Sequence, residues 1–205
     1  MATSPERAVL FVSVGARRAP SEVISAACDR AIRDMSDLTF CLLDEPEVSN
    51  LMCLEGLNRE AAARRIAAFA DTFVSLIPRL DRLSVHVTTW KDYQSDNRLQ
   101  RVQSTVFTSF ADDRHFRNHI LNQTFSNLQP RLAELGVYRK TDPLVVTLSQ
   151  YLCKELALKL YFSQAHLFDV EYGLVPDMTV VVAVYKGKYG ILNDVGNHRI
   201  PYIQL

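Results

Sequence analysis

The chain opens on a continuous apolar run, Ala8-Val9-Leu10-Phe11-Val12, which ends at Ser13-Val14-Gly15. An unbroken run of that length predicts a strand covered on both faces. Pro20-Ser21-Glu22 then starts a helical pattern that reaches about Met35, with Pro20 suited to an early helical position. A second apolar run, Leu38–Leu43, stops at Asp44-Glu45-Pro46, and a loop containing Gly56 follows. Asn58 is a candidate cap for a strong helix that begins at Arg59 and extends to Ile77, where Pro78 stops it. Leu83–Val87 reads as a third strand. Strand, helix, strand, helix, strand is the order of an α/β fold, a parallel sheet with crossover helices on its faces. Working sites in such sheets lie at the C-terminal ends of the strands. Here those ends carry Ser13, Asp44 and Thr88.

From Trp90 to about Glu134 the pattern is polar and helical, broken at Asp112-Asp113 and closed by Leu135-Gly136. Asp142-Pro143 begins another helix, running through Tyr151 and Glu155 to about Tyr161. Met178–Tyr185 is predicted as the last clear strand. A turn at Lys186-Gly187-Lys188 and a weaker strand at Tyr189–Leu192 follow, and no pattern is assigned to Asn193–Leu205.

The 205 residues fit one domain, residues 1–205, and 48% apolar with 22% charged residues excludes a disordered or fibrous chain. Lys+Arg and Asp+Glu balance at 23 each, which excludes an overall basic coat but not a local basic patch. No apolar run reaches the length of a membrane span, and the N-terminal Met-Ala-Thr-Ser-Pro-Glu-Arg lacks a signal pattern, so a cytoplasmic protein is expected. Cys28, Cys41, Cys53 and Cys153 form no CxxC pair, so the expectation is free thiols and no structural metal.

Ser13 follows a buried strand and precedes Gly15 and a helix, where a hydroxyl can face a crevice near free backbone N–H groups. A turn or capping serine has the same surroundings. The segment is neither a GxSxG elbow, since Phe11 takes the first glycine position, nor a dinucleotide fingerprint, nor a P-loop. Tyr151 and Glu155 stand four apart, so they share a helix face able to bind and deprotonate an amine, or simply a polar edge. His115 and His119 share a face without a third ligand, so neither a metal site nor a Ser-His-Asp triad is indicated. Arg59, Arg64 and Arg65 could track phosphates if they face outward, or be an ordinary solvated face.

Taken in order, these segments resemble the tRNA-dependent cyclodipeptide synthases, from about Ala8 to Tyr185. The resemblance is carried by Val12-Ser13-Val14-Gly15, by Leu42–Pro46 with Gly56-Leu57-Asn58 and the helix Ala61–Arg65, by the Tyr151-x-x-x-Glu155 motif, and by Tyr185. It implies a Rossmann-like fold similar to class I aminoacyl-tRNA synthetase catalytic domains, two aminoacyl-tRNAs as substrates, no cofactor and a monomer. By the same resemblance Ser13 holds the first aminoacyl group, Tyr151 and Glu155 bind its ammonium, and Tyr185 handles the last proton. Phe11, Gly15, Cys41, Leu43 and Leu158 would contact the aminoacyl group, and Arg59, Arg64 and Arg65 would receive tRNA. Lys159 stands where an apolar residue is more usual, and Ala16 and Lys186 fit neither main subgroup of the family. Two other readings are kept: a synthetase-like module that binds tRNA without catalysis, and a serine acyltransferase or hydrolase acting on another activated ester.

Overall fold

The computed structural model describes residues 6–13, 19–34, 36–79, 83–173, 178–192 and 199–205. Among them, five parallel strands form one sheet: β1 (Arg7–Val12), β2 (Asp37–Leu42), β3 (Val85–Thr89), β4 (Val170–Gly173) and β5 (Tyr202–Gln204), in the order β3-β2-β1-β4-β5. The chain winds outward from β1 in both directions. That makes the β1/β4 boundary the topological switch point, where this architecture leaves a crevice beyond the strand ends. Ser13 is the first residue past β1 and stands at that crevice.

Side-chain alternation in β1 divides the core. Ala8, Leu10 and Val12 join Leu38, Phe40 and Leu42 of β2 on one face, under α1 (Pro20–Asp34) and the end of α3 (Arg59–Ser75). Phe40 and Phe73 meet edge to face there, with centroids 5.1 Å apart. Val9 and Phe11 turn to the other face, under α7 (Pro143–Gln164). A helical layer closes that side: α4 (Trp90–Tyr93), α5 (Asn97–Asp112) and α6 (Arg114–Glu134). Asp113, Asp142 and Asn58 cap α6, α7 and α3 through side-chain oxygens, as acidic and amide residues do at helix starts.

Three sequence expectations need correction. The stretch after β2 is not a loop: Asp44–Glu55 forms α2, ended by Gly56 in the left-handed conformation at φ +66. Pro46 lies in its first turn, where a missing N–H costs nothing because those groups have no intrahelical partner. Met178–Tyr185 is not a strand: Thr179–Tyr185 forms α8, burying Val180, Val181, Ala183 and Val184. The run of valines reads as β from propensity alone, but burial on several sides overrides so weak a preference. Tyr189–Leu192 likewise gives a short 3-10 turn at Gly190–Leu192 rather than a strand. The sheet takes its outer strands instead from β4 and β5, which no apolar pattern marked. β3 begins two residues later than expected.

α8 is held at its start by a chain of polar contacts. The Thr179 hydroxyl donates to Gln123 Oε1 at 2.6 Å and lies 2.8 Å from His119 Nε2. Since that hydroxyl's proton is committed, Nε2 carries the imidazole proton, and Nδ1 accepts from the Tyr189 hydroxyl at 2.5 Å. Both ring nitrogens of His119 are therefore engaged by side chains of this cluster. Among the described residues no group of three or more His, Cys, Asp and Glu is placed to hold a metal ion.

Candidate active site

At the switch point a cavity of about 570 Å³ opens between the end of β1 and helices α2, α6 and α7. Ser13, Tyr151 and Glu155 all line it, so the fold brings Ser13 to a pair of residues far along the chain. Tyr151 and Glu155 lie one turn apart on the α7 face turned toward β1. The Tyr151 phenol stands near the Ser13 hydroxyl. Burial pushes the Tyr151 phenol well above its ordinary range, and the carboxylates of Glu155 and Glu47 push it further, so it keeps its proton at neutral pH.

Among the lining residues missed in the sequence are Glu47 and Asn50 of α2. Ser13 Oγ donates to Glu47 Oε2 at 3.2 Å, and Asn50 Nδ2 donates to the same oxygen at 3.4 Å. Both side chains are buried, at 5% and 7% exposure. The signal was present: Asp44-Glu45-Pro46-Glu47 is a helix-start composition, and Val48, Leu51 and Leu54 follow at helical spacing. Reading Pro46 as the end of a strand concealed it. Asp44, expected at a strand end, is instead buried in the first turn of α2.

Five residues were expected to contact the aminoacyl group: Phe11, Gly15, Cys41, Leu43 and Leu158. Cys41, Leu43 and Leu158 are fully packed beneath the site, and Phe11 stacks on Phe162 at 5.6 Å. All four belong to the core cluster on the α7 face of the sheet, Phe11 at its partly buried edge, and none is among the described residues lining the cavity. Gly15 lies outside the described residues. The Cys41 thiol is pushed far up by burial, then by Asp44, Asp92 and Glu155, and so is no nucleophile. Lys159, one turn beyond Glu155, is buried and ion-paired with Glu171 of β4. Its ammonium sits 5.0 Å from the Phe11 ring centroid.

Tyr185 ends α8, packs against the cluster that includes α7, and is not among the cavity's lining residues. Tyr172 donates to Asp34 on the opposite side of the sheet. On α3, Arg59, Arg64 and Arg65 are exposed and paired with Glu45, Glu60 and Glu55. Of the three, only Arg65 is among the described residues lining the cavity, as is Arg131 of α6.

No protein-family model matches the chain, and no curated protein sequence matches it. Solved structures do. A cyclodipeptide synthase from Bacillus thermoamylovorans is similar with a TM-score of 0.74 at 16% identity, over 91% of this chain and 83% of that one. A cyclodipeptide synthase from Candidatus Glomeribacter gigasporarum, solved bound to Phe-tRNAPhe, is similar with a TM-score of 0.60 at 17% identity, over 100% and 89%. Tyrosyl-tRNA synthetase from Archaeoglobus fulgidus gives a TM-score of 0.59 at 14% identity, over 98% of this chain and 56% of its own length. The chain thus has the Rossmann-like fold that cyclodipeptide synthases share with an aminoacyl-tRNA synthetase. No helix among the described residues is long and apolar enough to cross a membrane.

Proposed function

We propose that the protein is a tRNA-dependent cyclodipeptide synthase that joins the aminoacyl groups of two charged tRNAs. The observation that carries this reading is the meeting of Ser13, Tyr151 and Glu155 at one cavity, at the switch point of this fold. An aminoacyl ester is already activated, so its transfer to a serine hydroxyl requires no ATP. Ser13 attacks the first ester and holds the aminoacyl group. Glu155 and Tyr151 bind its ammonium, and Glu155 takes a proton as the amine becomes a nucleophile. The amine attacks the second ester, giving a dipeptidyl-enzyme, and cyclisation frees Ser13 and releases a diketopiperazine. The arginines of α3, with Arg131 of α6, give the acceptor ends a basic approach. The enzyme acts as a monomer in the cytoplasm.

The test is mass spectrometry of medium from cells expressing the chain, beside a Ser13→Ala control. Diketopiperazine masses absent from the control are expected. If soluble protein yields none, and intact-protein mass shows no aminoacyl adduct at Ser13 after mixing with a full charged-tRNA pool, the reading fails in favour of a tRNA-binding module.

A further inference from the structure

The nucleophile in this site needs a base, and no histidine is among the described residues that line the cavity. A serine hydroxyl at its free pKa is a weak nucleophile until a neighbour accepts its proton. Glu155 is already committed, because in the first step it faces the substrate ammonium. A second carboxylate stands on the other side of Ser13. Glu47 Oε2 accepts the Ser13 hydroxyl proton at 3.2 Å and is itself oriented by Asn50 Nδ2 at 3.4 Å. This is the serine–base–orienter chain of nucleophilic catalysis, with a carboxylate where histidine is commoner. Glu47 also lies in the first turn of α2, where the helix dipole favours the anionic form.

We propose that Glu47 is the general base for acylation of Ser13, an inference that rests on the synthase reading above. As Ser13 Oγ bonds to the ester carbonyl carbon, its proton passes to Glu47 Oε2. The tetrahedral adduct collapses, the bond from carbon to the tRNA ribose oxygen breaks, and that oxygen takes the proton from Glu47. Glu47 is again a carboxylate, Ser13 carries an ester, and the tRNA leaves with a free hydroxyl. The two carboxylates divide the work: Glu47 serves the nucleophile, and Glu155 serves the substrate amine. The charged and titratable groups around Glu47 are Tyr151 and Glu155 on α7, Asp44 and the Glu55–Arg65 pair on the α2 and α3 side, and Arg131 on α6.

The experiment is rapid-quench acylation with a labelled aminoacyl-tRNA pool, read as acid-stable label on the protein and as intact mass. It compares wild type, Glu47→Gln, Glu47→Asp, Ser13→Cys and the double variant Ser13→Cys/Glu47→Gln, with thermal melts to confirm folding. E47Q is expected to slow acylation by about 10²–10⁴-fold and to flatten the acid limb of the wild-type rate profile, the usual reach of a general base. In the cysteine background the same change is expected to cost less than about tenfold, because a thiol ionises near neutral pH without help. E47D, which retracts the carboxylate and perturbs the fold least, is expected to fall between wild type and E47Q. Wild-type rates in folded E47Q would overturn the assignment. So would an equal loss in the serine and cysteine backgrounds, which is what a positioning residue would give. If wild type itself gains no label, the synthase reading fails and this assignment falls with it. Labelled wild type beside unimpaired E47Q overturns the assignment alone.

Discussion

Lys159 and Glu171 form an ion pair with side chains only 6% and 10% exposed. Replacing Lys159 with Met keeps the length of the side chain but leaves Glu171 without its ammonium in the core. An unpaired buried charge of this kind costs about 3–5 kcal/mol. Loss of the cation over the Phe11 ring removes about 0.5–2 kcal/mol more. For a chain of this size each kcal/mol lowers the melting temperature by roughly 2–4 °C, so K159M is expected to melt at least about 6 °C lower. That is a large share of a total stability on the order of 5–15 kcal/mol. The double variant K159M/E171L removes both charges and is expected to return to within about 1 kcal/mol of wild type, or to exceed it. Urea denaturation by linear extrapolation measures all four proteins, and unchanged m-values would show that the native state is the one affected. If the double variant is as unstable as the sum of the two singles, the pair is not coupled and the reasoning is refuted.

Three further outcomes are expected. His119 is kept neutral by burial, helped by nearby Lys188, so its pKa lies below the ordinary value. Stability tied to it is present above about pH 6.5 and lost as pH falls through the lowered value, and H119Q should remove that slope from urea midpoints measured across the range. Gly173→Ala would drive a methyl into the hydroxyl and ring of Tyr202, so it should cost about 1–3 kcal/mol, relieved when combined with Y202A. Tyr185→Phe is expected to leave diketopiperazine yield near wild type, because Tyr185 is not among the described residues that line the cavity; loss of product in a folded Y185F protein would give Tyr185 the last proton transfer.

The inner half of the fold was legible because its signals are local. β1 and β2 are continuous apolar runs, and α1, α3 and α7 carry Pro or Asn at their starts. Ser13, Tyr151 and Glu155 could be paired by motif order, and the structure brings them to one cavity. The outer half was hidden because its determinants are tertiary. β4 contains Glu171, which is tolerated in a buried strand because Lys159 faces it, and that pairing is invisible along the chain. Val180–Val184 is helical because of what surrounds it. Glu47 was lost with the helix that carries it, since a carboxylate read in a loop has no face and no neighbour.

The spacing of Tyr151, Glu155 and Lys159 on α7 has a mechanical consequence. A helix packed mainly by leucines is a cylinder that can roll in its bed. The Lys159–Glu171 bond acts as a peg between that cylinder and the sheet, and it sets the azimuth at which the two residues above it meet Ser13. The alignment of the reacting groups is therefore stored in the core and not at the cavity mouth. Side chains of α6 around the cavity, such as Thr124, Asn127 and Leu128, can then differ without disturbing that alignment.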